Sequence, residues 1–195
     1  MFLPSSCLSV GARTRRILGW ILACLTTALQ LSTAEEPLET GELLALGRFE
    51  EALPALATLE QQWKAEANKN GTPENRRTWA LSLQGRGSVE ARLQKFEPAL
   101  KHLRKARDLA MEGGFGAETT AGILDELGRA EGKAGLYAEA ETTLLHAIEQ
   151  HELLGKSMRE PWLSASQNHL GLIYLITGRY EEAGGIFHKT LGQPD

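Results

Sequence analysis

Cysteine is nearly absent from this 195-residue chain. Its only two, Cys7 and Cys24, lie within the first 34 residues, so a chain starting after residue 34 has neither a disulfide nor thiol chemistry. Aromatic residues make up only 6%, and Val, Ile, Thr and aromatics never gather into alternating runs, which argues against a sheet. The formal net charge of -4, with no lysine-rich tract or arginine stripe, gives no long-range attraction to nucleic acid. Catalytic signatures are missing too. No serine sits in a GxSxG elbow, and the five histidines (His102, His146, His151, His169, His188) form neither HExxH nor a two-histidine, one-acid cluster. Glu112-Gly113-Gly114-Phe115-Gly116 lacks the lysine-serine/threonine end of a phosphate loop. No catalytic residue, metal or cofactor is expected, and the chain does not read as an enzyme.

Residues 1–34 differ from the rest. Arg13, Arg15 and Arg16 precede an apolar block from Ile17 to Leu25 that continues weakly to Leu31, followed by Ser32-Thr33-Ala34. Charged, apolar and small residues in that order form a secretory signal. The apolar part falls short of the roughly 20 residues of a membrane helix, which favours cleavage over a permanent anchor. Cleavage after Ala34 removes three arginines and no acid, leaving 18 Lys+Arg against 25 Asp+Glu and a net charge of -7. The expected location is periplasmic or secreted; if the signal is uncleaved, it is membrane-anchored with the remainder outside the cytoplasm.

What is abundant is a repeating pattern. In Gln167–Thr190, Leu170, Gly171 and Tyr174 share one helix, Thr177-Gly178 breaks it, and Tyr180, Ala183 and Phe187 share a second. Upstream the pattern recurs as Leu127, Gly128, Gly135, Tyr137, Ala140, Leu144 and Ala147, and again as Gly87, Phe96, Ala99, Leu103 and Ala106. A partial copy runs Gly47-Arg48-Phe49, Ala52, Leu56, Leu59. Small residues at Gly87, Gly128, Gly171 and the matching alanines mark where paired helices approach most closely.

This template resembles the tetratricopeptide repeat, a helix-turn-helix unit. The glycine spacings of 41 and 43 residues exceed the common 34, as in the long-repeat type of kinesin light chains and many bacterial scaffold and signalling proteins. Pro161-Trp162-Leu163-Ser164-Ala165-Ser166-Gln167-Asn168-His169-Leu170-Gly171 is similar to the corresponding stretch of such repeats, with His169 in place of a second asparagine. The resemblance implies an all-α superhelix of antiparallel helix pairs over residues 35–195, about three full repeats plus a partial N-terminal one.

Helix boundaries follow from the same pattern. A short helix is expected over Glu39–Leu46, then Phe49–Lys69 with Ala52, Leu53, Leu56, Leu59 and Trp63 buried. Glu74–Arg92 follows, with Leu81, Leu83, Val89 and Leu93 as core, then Phe96–Met111, Thr119–Lys133 and Tyr137–Leu154. Gly155–Pro161 reads as a linker before a last pair, Trp162–Ile176 and Tyr180–Leu191. Lys101, Arg104, Lys105 and Arg107 read as a solvated face.

The resemblance places the first helix of each pair along a concave groove. Groove-facing positions would be Gln84, Ser88 and Arg92; Asp125, Arg129 and Lys133; Asn168, Leu172 and Ile176. Of these, Arg92, Asp125, Arg129, Lys133 and Asn168 are the candidate peptide-binding residues. Arg92, Arg129 and Lys133 would attract an acidic peptide or a free C-terminal carboxylate, and Asn168 would hold its main chain. The last pair would expose Ile186 and Phe187, a route to self-association. Three functions are compatible: an exported adaptor or assembly scaffold, a sensor segment of a longer protein with an effector domain beyond residue 195, and a structural spacer.

Overall fold

The computed structural model describes residues 39–191; the expected leader, residues 1–34, lies outside them. Residues 43–191 belong to one compact unit. The described residues form eight α-helices and no strand: α1 (Thr40–Ala45), α2 (Phe49–Asn70), α3 (Pro73–Arg92), α4 (Phe96–Gly113), α5 (Ala117–Lys133), α6 (Tyr137–Glu152), α7 (Lys156–Ile176) and α8 (Tyr180–Thr190). Each helix packs on its successor from α2 onward, and α3, α5 and α7 also touch in series. The result is three helix pairs, α3/α4, α5/α6 and α7/α8, stacked behind α2.

Small residues set the crossings. A Cβ on Gly87 would lie 2.7 Å from Leu103 Cγ, and one on Gly128 would lie 2.7 Å from Leu144 Cγ. On Gly171 it would lie 2.5 Å from the Phe187 ring. Real Cβ atoms do not sit that close, so each glycine lets a large side chain of the paired helix fill the space it leaves. Ala52, Ala99, Ala140 and Ala183 are wholly buried. Gly85, two residues from Gly87, faces open space, and nothing in the structure explains it.

The turn inside each pair repeats as well. Arg48, Lys95, Leu136 and Arg179 donate their amides to the carbonyls of Leu43, Glu90, Glu131 and Tyr174 at 2.8–2.9 Å. This six-to-one closure needs a left-handed residue just before the donor. Gly47, Gly135 and Gly178 supply it, while the α3/α4 turn uses Gln94 at φ 59°, the one non-glycine residue with positive φ among those described.

Three expectations are corrected. Leu59 and Leu81, both expected inside, are each 41% exposed. The buried stripe of α2 instead runs Ala52, Leu56, Glu60, Ala67, because the four-residue step selects Glu60 rather than its neighbour. Leu46 is also exposed. The expected linker Gly155–Pro161 is helical from Lys156: extended Gly155 (φ -61°, ψ 148°) begins α7 earlier than Pro161 suggested. At the glycine-rich joint after α4, Phe115 folds back over Gly113 and packs against the Ala80–Leu109 cluster.

Buried carboxylates brace the outer side. Glu60 accepts from Trp79 Nε1 and Arg86, both at 3.2 Å, and Glu90 accepts from Arg86 at 3.1 Å and pairs with His102 at 2.7 Å. Glu131, only 2% exposed, accepts from Thr143 at 2.8 Å and Arg104 at 3.4 Å. Without those donors a buried carboxylate would cost several kcal/mol, roughly 3–5.

Candidate functional site

The inner face is built from α3, α5 and α7 running in the same direction. Arg77 donates to Thr119 (3.1 Å), Gln84 to the Gly122 carbonyl (2.9 Å) and Ser88 to Glu126 (2.6 Å), so pairing advances along α3 and α5 together. Ser166 Oγ donates to Asp125 at 2.5 Å, and Gly132 lies under Ile173, which carries the same offset on to α7. Between these helices and the end of α6 lies a cavity of about 540 Å³. Arg92, Asp125, Glu126, Arg129, Trp162 and His169 are among the residues that line it.

The expected groove residues meet different fates. Arg92 lines the cavity, its guanidinium stacked 5.4 Å over the Phe49 ring. Arg129 also lines it, but it is paired with Glu126 one turn back and donates to Ser88 at 3.3 Å. Lys133 has no hydrogen bond or ion pair among the described residues. Partial burial, and then the fields of Arg129 and Arg92, push its ammonium below the usual lysine range, against a smaller pull from Glu126. Three cations therefore converge around one carboxylate.

Asp125 is present but committed. One oxygen takes the Ser166 hydroxyl and the other the His151 Nε2 at 2.7 Å, tying α5, α6 and α7 at one point. Burial raises its pKa, opposed by those two hydrogen bonds. Serine, histidine and aspartate occur here in the wrong order for hydrolysis. Both partners bond to the carboxylate, so no imidazole stands ready to take the serine proton. Asn168 is exposed and is not among the cavity-lining residues. The repeat spacing puts it in series with Gln84 and Asp125, the positions that hold the following inner helix, and its neighbour His169 lines the cavity instead.

Two functional groups were missed from sequence. His151, only 2% exposed, lines the cavity, and its Nδ1 has no partner; with Nε2 donating to Asp125, that nitrogen is a buried acceptor. His169 Nδ1 is also buried without a partner. Burial and the nearby Arg129 hold His169 below the ordinary histidine range, against Asp125 and Glu126. The only sequence sign was their position on helix faces otherwise buried. Among the described residues no group of three or more His, Cys, Asp or Glu is placed to hold a metal, and no helix is long and apolar enough to cross a membrane.

The cations of α4 lie on the other side, as expected for a solvated face, with two exceptions. Arg104 reaches buried Glu131, and Lys105 sits 5.8 Å over the Trp79 ring.

Comparison with known proteins returns no matching family model and no matching curated protein. Among solved structures, the crystal structure of BtubC (BKLC) from P. vanneervenii is similar, with a TM-score of 0.64 over 77% of this chain at 17% identity. The chain spans 58% of that protein's length. At that identity the likeness concerns the fold alone, and together with the stacked pairs and their repeated turns it supports a tetratricopeptide-like helical-repeat fold.

Proposed function

We propose that this chain is a protein-interaction module whose inner groove takes an acidic segment or a free C-terminal carboxylate, acting as an adaptor or assembly scaffold. The observation that carries the reading is the convergence of Arg92, Arg129 and Lys133 around the single carboxylate of Glu126, with Lys133 unpaired among the described residues. In a partly desolvated groove their fields add, and an anionic ligand relieves the repulsion. The test is titration calorimetry with a peptide captured by cross-linking from native extract. Arg92→Ala and Lys133→Ala should each weaken binding by about 0.5–2 kcal/mol, more at low salt. Lys101→Ala on α4 is the control, cleaner than Arg104, which braces Glu131. Equal losses from all three would reduce the groove to a diffuse field. Indifference to every groove substitution would favour the spacer, and an effector domain in phase beyond residue 195 would favour the sensor segment.

Export is part of this reading and rests on the charged–apolar–small order of residues 1–34. N-terminal sequencing from the native host should begin at Glu35; an intact Met1 in cytoplasmic material would remove it.

A second reading, self-association, is favoured by the edge formed by α7 and α8. Leu172, Leu175, Ile176 and Leu191 are exposed there, whereas Ile186 and Phe187, expected to be open, are half-buried against the core of the last pair. Sedimentation velocity should then show concentration-dependent dimerisation that Leu175→Glu abolishes.

A further inference from the structure

We infer that the groove is bipolar, selecting an extended segment with a basic residue at one end and an acidic group at the other. This inference rests on the groove reading above and adds a second charged subsite to it.

The inner helices run in parallel, so charge can be read along them. Arg92 at the end of α3 and Arg129 near the end of α5 line the cavity, and Lys133 follows one turn beyond Arg129. The opposite end of the cavity carries Glu118, in the first turn of α5, and Trp162 on α7, about one turn further along by the Asp125–Ser166 register. Glu118 is exposed and has no hydrogen bond or ion pair among the described residues. Its place in the first turn suits the helix dipole, which leaves the carboxylate open to a ligand. Trp162 is 63% exposed although it lines a cavity, so its indole face is available to a cation. A carboxylate beside a bare indole takes an ammonium or guanidinium.

The middle of the cavity asks for a donor. His151 Nδ1 is a buried acceptor with no partner, halfway between the two charged ends. A ligand crossing from Glu118 to Lys133 passes this wall, and a main-chain N–H satisfies an acceptor of this kind. From Glu118 to Arg129 is about 16 Å along the helix, and to Lys133 about 22 Å, at 1.5 Å per residue. An extended peptide covers that span in about five to seven residues at roughly 3.3 Å each. The ligand is therefore a peptide with Lys or Arg and Asp or Glu about that far apart. The unlike ends of the groove fix which charge lies at which end, whichever way the peptide runs.

The test is phage-display selection of random 12-residue peptides on the immobilised full chain, followed by fluorescence anisotropy of the enriched peptide. Wild type should enrich opposite charges five to seven residues apart. Glu118→Lys should weaken the selected peptide at least about tenfold, and reversing the peptide's basic residue to Glu should recover the loss. Lys133→Glu should do the same at the acidic end, with recovery by the opposite reversal. Circular dichroism of both variants checks the fold, and both positions lie at helix ends outside the core. Acidic enrichment indifferent to Glu118→Lys overturns the bipolar inference and leaves the anion groove standing. No enrichment, or binding indifferent to both reversals, overturns both.

Discussion

The two joints between successive inner helices are built differently. Where α3 meets α5, polar bonds are spread over three heights: Arg77 to Thr119, Gln84 to the Gly122 carbonyl, and Ser88 to the Glu126–Arg129 pair. Where α5 meets α7, they gather on one carboxylate, Asp125, which holds Ser166 and His151 at once, with Gly132 pressed under Ile173. The first joint loses little when any one group is removed. The second depends on a single carboxylate next to the cavity.

The largest effect expected from breaking this contrast is at Asp125. Asp125→Ala leaves buried His151 without its acceptor and Ser166 with only the Trp162 carbonyl, and should cost about 3–5 kcal/mol. Gln84→Ala at the first joint should cost about 1 kcal/mol. Urea denaturation of both variants measures the difference, and similar losses would mean that the second joint is no more concentrated than the first.

Added volume should separate the joints next. A side chain on Gly132 meets Ile173 Cδ1 at 2.8 Å, so Gly132→Leu should destabilise by about 1–3 kcal/mol through overpacking. A Cβ on Gly122 meets Gln84 Nε2 at an ordinary 3.6 Å, so Gly122→Ala should be neutral or stabilise by up to about 1 kcal/mol through helix propensity. Gly171→Leu, within the last pair, should resemble Gly132→Leu, because the Phe187 ring fills its space. Thermal melts give the sign in each case.

Acid should act on the second joint. His169 has its folded pKa below the ordinary histidine value of 6.5, so its contribution to stability is present above that pH and is lost as pH falls through the folded value. Asp125 acts oppositely. Its folded pKa lies above 3.8, so its contribution is fully present below 3.8 and lost as pH rises through the folded value, which partly offsets His169 in acid. Melting temperature should therefore fall on going from pH 7.5 to below 6, and His169→Gln should flatten that slope. An unchanged slope would show that His169 is no more costly to protonate in the fold than in the unfolded chain.

The smallest effect leaves both joints alone. Gln94 holds a left-handed conformation that glycine adopts without strain in the other turns, so Gln94→Gly should stabilise by about 1 kcal/mol without changing the pH slope.

The repeat was legible because each element of it is local. Gly87, Gly128 and Gly171, with Ala99, Ala140 and Ala183, recur at helical spacing, and the structure puts all six at the crossings. The helix expected from Glu74 starts one residue earlier, at Pro73, where the Thr72 hydroxyl accepts from the Asn75 amide at 3.2 Å. Leu59 and Leu81 misled because hydrophobicity alone cannot choose between adjacent positions when a buried glutamate holds the stripe. Glu60 is inside only because Arg86 and Trp79, from another helix, meet it there.

The sequence by itself determined the helix pairs, their order and the small residues at their crossings, since these depend on contacts within about 20 residues and on the 3.6-residue period. Tertiary structure decided which charges remain available. Arg129 and Asp125 were both readable as inner-face residues, yet one is neutralised by Glu126 and the other is consumed by Ser166 and His151, while Lys133 stays unpaired. Those partnerships depend on how far one repeat is shifted against the next. Links such as Gln84 to Gly122 and Asp125 to Ser166 join residues about 40 apart in sequence, and their register is set by side-chain packing at each joint rather than by any local pattern.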